Sequence, residues 1–234
     1  MSIVLVHGDK GGAGKSTTAA TYGEYVLARG GQLAVVDCDP QNPDVARYFA
    51  GLATIYKIDL REPTGWIELF NAFDEDPASD FVVSLPANIG AIFAENAGDL
   101  LAALAGTKRR AAIFWVLGRT ADCIAQLKDA LEAYAPAVPI IAVRNLFWSA
   151  GDPTLFTRWE GSKTRPALLD LGGADINFPE LLDGIFDVTF GAPKPQRLVG
   201  GMSRYGDRLK LAQWSKAAFA AFDGIAALAG TGVR

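Results

Sequence analysis

Residues Lys10 to Thr17 read Lys-Gly-Gly-Ala-Gly-Lys-Ser-Thr and follow closely on the apolar run Ile3-Val4-Leu5-Val6. Gly11, Gly12 and Gly14 can take positive φ and bring backbone N–H groups against phosphate oxygens, where a side chain would block the approach. Ala13 belongs to the same cradle. The small residues Ser16, Thr17, Thr18, Ala19 and Ala20 open a helix, so its positive N-terminal end points at the same anion. Lys15 is placed to reach the β- and γ-phosphates. The Ser16 hydroxyl is the expected magnesium ligand, with Thr17 near the α-phosphate. The usual form of such a loop has glycine six residues before its lysine. Here that position is Asp9, and a second lysine, Lys10, stands five residues before Lys15. A glycine-rich turn that binds nothing would not need strand, glycines, lysine, hydroxyl and helix in this order.

Other chemistries lack parts. His7 is the single histidine, which leaves no metal cluster and no Ser-His-Asp arrangement. At the end of the first strand it reads as a packing residue or a support for a neighbouring group rather than as a base. A dinucleotide reading of the glycines fails because Lys15 and Ser16 suit phosphate and magnesium. Cys38 and Cys123 have no metal or disulfide spacing, which points to a reduced, cytoplasmic setting.

These residues must be carried by alternating strands and helices, the pattern of a mostly parallel sheet covered on both faces. The spacing predicts strands near 2–7, 32–37, 54–60, 80–85, 111–117 and 138–144. Helices are expected over 15–29, 64–75, 89–105, 120–134 and 204–228, with short elements near 153–160 and 178–186. Gly30-Gly31 closes the first helix. With 234 residues, half of them apolar, and no linker or repeat, a single α/β domain over 1–234 is expected. The formal charge of −4 argues against a generally basic surface. No basic leader precedes a secretory segment, and no uncharged apolar stretch reaches the ~18 residues that span a bilayer.

The loop resembles that of the deviant Walker-A ATPases, the ParA/MinD family, which also contains the iron protein of nitrogenase. The resemblance implies a P-loop ATPase fold, ATP with Mg2+ as cofactor, and an ATP-dependent homodimer in which Lys10 reaches the nucleotide of the other subunit. It continues in Asp37-Cys38-Asp39-Pro40-Gln41 after the second strand. Asp39 there matches the switch aspartate that positions the attacking water and helps hold magnesium. Asp37 and Asp44 are nearby carboxylates that could act on the metal through water. The resemblance therefore assigns catalysis to Lys10, Lys15 and Asp39. In Asp80-Phe81-Val82-Val83-Ser84-Leu85-Pro86-Ala87-Asn88, Ser84 stands where the family's Walker-B aspartate is expected. Asp80 lies at the wrong end of that strand, so binding is expected to survive and hydrolysis to be slow. Asn145, after the strand that includes Pro139 to Arg144, matches an asparagine that contacts adenine in relatives. Its amide offers a donor and an acceptor, although asparagine is also a common turn residue. The segment Asp175 to Glu180 falls where relatives close a loop over the base.

Relatives commonly bind DNA without sequence preference, or a membrane, and a partner protein stimulates hydrolysis. Lys194, Arg197, Arg204, Arg208 and Lys210 form a basic cluster suited to salt-dependent phosphate contacts, although scattered charges of this kind are also an ordinary solvated face. The resemblance thus implies a ParA-type switch that segregates or positions DNA or other cargo, nucleoid-associated if the cluster binds DNA. The alternative is a nucleotide-dependent scaffold with negligible turnover, such as an accessory protein in plasmid transfer. A MinD-like membrane role fits less well, because Ala217 to Leu228 carries no lysine or arginine. That segment is expected to pack on the sheet, with Trp214 and Phe222 as contacts. A bridging metallocluster lacks the paired cysteines it would need.

Overall fold

The computed structural model describes residues 1–8, 10–135, 137–191, 197–198 and 204–230. Its strands are β1 (Ser2–His7), β2 (Leu33–Asp37), β3 (Thr54–Lys57), β4 (Asp80–Ser84), β5 (Arg110–Leu117), β6 (Ile140–Asn145) and β7 (Ala174–Phe178). They form one sheet in the order β3-β2-β4-β1-β5-β6-β7, and all pairings are parallel. Continuous runs such as Ile3-Val4-Leu5-Val6 suit strands buried on both faces.

The helices are α1 (Lys15–Ala28), α2 (Asp44–Tyr48), α3 (Pro63–Glu75), α4 (Gly90–Glu95), α5 (Ala97–Gly106), α6 (Ala121–Tyr134), α7 (Thr157–Glu160), α8 (Thr164–Asp170), α9 (Asp183–Phe186), α10 (Tyr205–Asp223) and α11 (Ala226–Ala229). Because side chains alternate along a strand, the sheet feeds two cores. Ile3, Leu5, Ile113 and Trp115 meet Trp66, Phe73, Phe93 and Leu127 from α3, α4 and α6. Val4, Val6, Phe114 and Val116 meet Tyr22, Tyr25, Trp214 and Phe222 from α1 and α10. Phe222 is fully buried, and its ring lies 5.2 Å from Tyr22 and 5.9 Å from Phe114.

Several elements differ from the sequence expectation. The single helix over 89–105 is two, α4 and α5, because Asn96 leaves helical geometry (φ −98°, ψ 11°) and its side-chain amide donates to the Ile92 carbonyl. Asparagine competes for backbone hydrogen bonds in this way. The final helix over 204–228 stops at Asp223, and α11 follows only after Gly224 and Ile225. The third strand ends at Lys57 rather than near residue 60, since Asp59 accepts from the Arg61 N–H in a turn. Neither α2 nor β7 is foreseen by periodicity. α2 is too short to show a repeat, and β7 is a polar edge strand, Ala-Asp-Ile-Asn-Phe. No described helix is long and apolar enough to cross a membrane.

Candidate nucleotide site

The carboxyl ends of β1, β2, β4 and β6 bring most of the predicted residues to one edge of the sheet, where ligands of open α/β sheets bind. β1 delivers the glycine loop. Gly8 sits at φ +147°, and a Cβ there would press on the Val116 carbonyl oxygen at 2.8 Å. Gly14, at φ +102°, is the residue before α1 and gives that helix no side-chain cap. The first N–H groups of α1 thus have no intrahelical partner and face the loop, which is the condition for an anion seat. Lys15 is nearly buried and its Nζ donates to the Lys10 carbonyl at 3.1 Å. Lys10, Gly11 and Gly12 are exposed, while Ser16 and Thr17 are half-buried at the start of α1.

Asn145 has a task that the sequence reading missed. Its Nδ2 donates to the Ala13 carbonyl at 2.8 Å, and its Oδ1 accepts from the Phe147 N–H at 3.2 Å. The residue therefore ties the end of β6 to the glycine loop. A Cβ on Gly14 would collide with that same amide nitrogen. Beside them lies a cavity of about 320 Å³ whose floor includes Gly12, Gly14 and Thr17 and whose walls include Phe147, Phe178 and Phe186. Aromatic walls over a glycine floor suit a flat ring attached to a phosphate chain. Of the segment Asp175 to Glu180, expected to form a loop over the base, residues 175–178 belong to β7. Asp175 accepts from the Trp159 indole at 2.9 Å and from Arg165 Nε at 2.8 Å. Phe178 and Pro179 line the cavity.

The carboxylates separate into different jobs. Asp37 is buried, and its two oxygens accept from the N–H groups of Val45, Ala46 and Asp39 at 3.0, 2.9 and 3.2 Å. It thereby starts α2. Burial pushes its carboxyl up from the ordinary value, against the pull of those three donors. Asp39 is half-exposed and accepts from the N–H groups of Gln41 and Asn42. Asp44 pairs with Arg47 at 2.8 Å. Ser84 is buried at the end of β4, in register with Val6 of β1 and Asp37 of β2. Mg2+ takes one or two protein oxygens and draws the rest from phosphate and water. A hydroxyl from Ser16 and a carboxylate from Asp39 match that donor chemistry.

His7 is buried, stacked on Trp115 at 4.4 Å and met edge-on by Phe93 at 4.7 Å. Burial, and then the Lys15 charge, push its pKa down to about 3. A ring this hard to protonate is uncharged at neutral pH.

The basic cluster is divided. Lys194 lies outside the described residues. Arg197 is only half-buried, but its guanidinium is committed to an internal carboxylate. Its Nε and Nη2 grip the fully buried Glu24 at 2.9 and 2.7 Å. Tyr48 donates to the same carboxylate and accepts from the Leu198 N–H, each at 2.9 Å. A buried glutamate demands a partner, and no periodicity reveals that demand. Arg204, Arg208 and Lys210 are exposed around the start of α10.

The sequence profile of the CobQ/CobB/MinD/ParA nucleotide binding domain matches residues 4–150. The chain belongs to that family. It is a nucleotide-binding protein of the ParA/MinD kind. It is 30% identical over 224 residues to Protein MobD of Acidithiobacillus ferrooxidans, covering 96% of this chain and 97% of that one. Among solved structures it resembles MinD complexed with Mg-ADP from Pyrococcus horikoshii, with TM-score 0.56, 14% identity, and coverage of 98% of this chain and 97% of that one. It also resembles the MinD cell division protein of Aquifex aeolicus, with TM-score 0.53, 11% identity, and coverage of 92% and 95%. At these identities the two structures speak for the fold, a parallel sheet with helices on both faces.

Proposed function

We propose that this protein is an ATP-dependent dimerising switch of the ParA type, acting in one domain and in the cytoplasm to position or segregate DNA or other cargo. The observation that carries the reading is the glycine loop, held by Asn145 and opening onto an aromatic-walled cavity. Gly11 to Gly14 and the start of α1 bind the phosphates, Lys15 neutralises the β- and γ-phosphates, and Thr17 supports the α-phosphate. Ser16 and Asp39 would hold Mg2+, which when bound draws charge from the phosphate oxygens. Asp39 orients the attacking water, and Lys10, exposed on the loop, reaches the nucleotide of a second copy. Asn145 borders the base as well as fixing the loop. Nonspecific DNA would meet Arg204, Arg208 and Lys210, and a partner protein would stimulate slow turnover.

Ser84 favours a second reading. With a hydroxyl where relatives carry a carboxylate, ATP could lock the dimer with negligible hydrolysis, and a partner would read that state. Plasmid transfer would be a suitable setting for either form.

The test is molecular mass in solution with ATP, with ADP and without nucleotide, for wild type and Lys10→Ala, followed by DNA binding over a salt series. ATP should double the mass of wild type and not of the variant. A monomer under all conditions would overturn the switch. DNA affinity indifferent to ATP would overturn its coupling to DNA.

A further inference from the structure

A second cavity, of about 290 Å³, lies on the face of the sheet opposite α1. It opens between α4 and α6 and is lined by His7, Phe93, Trp115 and Tyr134, with Ala94 and Asp129 nearer the surface. Its size is close to the lower bound for ligand clefts. The buried polar atoms in its walls that lack a hydrogen-bond partner among the described residues include two donors, His7 Nε2 and Trp115 Nε1, and the Gln126 carboxamide lines the same cavity. His7 is 1% and Trp115 3% exposed. The indole nitrogen can only donate. The imidazole must donate too. Its Nδ1 accepts from the Gly8 N–H at 2.6 Å, so the ring proton of the neutral form sits on Nε2.

Buried donors left unpaired cost free energy, and native structures rarely keep them. Two donors among aromatic rings call for a carbonyl oxygen on a flat body. The Asp129 carboxylate at the exposed side repels an anion and accepts an N–H.

We propose that this cavity is a second ligand site, taking a small neutral molecule that presents a carboxamide or lactam on a flat apolar body. Its carbonyl accepts from His7 and Trp115, its N–H reaches Asp129, and its ring packs among Phe93, Tyr134 and the alanines of α4 and α6. The imidazole that grips the ligand also holds the Gly8 N–H at the root of the glycine loop, so the two sites share one ring.

The test uses benzamide as probe on the full chain without nucleotide, followed by the Trp115 indole N–H resonance. Benzamide should shift that resonance and bind at least about tenfold tighter than benzoate, the scale of one hydrogen bond exchanged for charge repulsion. Trp115→Phe, which keeps the ring and removes the donor, should weaken binding about tenfold. Ala94→Leu, at an exposed lining position on α4, should abolish it while leaving the fold intact, and this variant carries the test if Trp115→Phe does not fold. An unmoved indole resonance at millimolar benzamide, benzoate binding as well as benzamide, or binding unaffected by Ala94→Leu would each overturn the proposal.

Discussion

Asp37 and Ser84 stand side by side at the carboxyl ends of neighbouring parallel strands, in register with each other. Asp37 spends its oxygens on the N–H groups of Val45, Ala46 and Asp39, and Ser84 is only 4% exposed. The pair thus offers magnesium a carboxylate already committed to α2 and a hydroxyl with no charge.

Replacing Ser84 by Asp places a second acid beside one whose carboxyl burial already pushes up. Without divalent cation the variant should lose roughly 1–3 kcal/mol, the penalty for a poorly paired buried group. Mg2+ with ATP should return part of that loss. Phosphate release should accelerate if the missing carboxylate limits turnover. Urea unfolding in chelator and in Mg2+-ATP, alongside a phosphate assay, reads both effects. An unchanged rate would mean that Asp39 or another acid already serves.

Arg197→Ala leaves the buried Glu24 without its cation, though still bonded by Tyr48, and should cost roughly 1–3 kcal/mol. Adding Glu24→Gln should recover much of this in denaturant unfolding. Its effect on DNA affinity should be small beside that of Arg204→Ala or Lys210→Ala. Each of those should reduce the slope of log affinity against log salt by about 1 if it meets a phosphate.

Asn145→Ala strands the nearly buried Ala13 carbonyl and frees the glycine loop. We expect roughly 1–3 kcal/mol of lost stability and about tenfold weaker nucleotide binding, the equivalent of one hydrogen bond lost from a preorganised seat. Gly14→Ala should be worse, since the new Cβ meets Asn145 at a backbone angle that side chains rarely adopt. Calorimetry with ADP on both variants checks the order.

His7 sets an acid sensitivity. Its folded pKa of about 3 lies below the ordinary 6.5, so between those values the unfolded chain binds the extra proton and stability falls as pH falls. From pH 7 to pH 5 this group alone should remove about 2 kcal/mol. His7→Phe should flatten the urea midpoint across that interval. An equally steep decline in the variant would assign the effect to other groups.

The strand–helix alternation, the sheet that carries it and the glycine loop are legible in the sequence because each leaves a local record. Ile3 to Val6 is apolar without interruption, and Lys10 to Thr17 is a contiguous motif. What is not legible depends on partners far along the chain. Arg197 reads as a surface cation until Glu24 is found beneath it. Asn145 reads as a contact for the base alone, and its second task shows only when Ala13 is found within reach. Asp37 reads as a metal acid until α2 begins on it. The break at Asn96 has a local cause, but one polar residue in an otherwise apolar helix is too slight a mark against the surrounding repeat.

The bond from Asn145 to Ala13 joins residues 132 positions apart, and β1 lies between β4 and β5 in the sheet. The glycine loop therefore cannot reach its final arrangement until β6 has emerged from the ribosome. During synthesis the loop remains an unlocked segment until the 132 positions that separate Ala13 from Asn145 have been made. A chain truncated before Asn145 would carry every residue of the phosphate motif without the bond that holds it in shape. Long-range closure of this kind slows folding and prolongs exposure of apolar strands. The capacity to seat a nucleotide is thus completed only with β6, although its signature is written in Lys10 to Thr17.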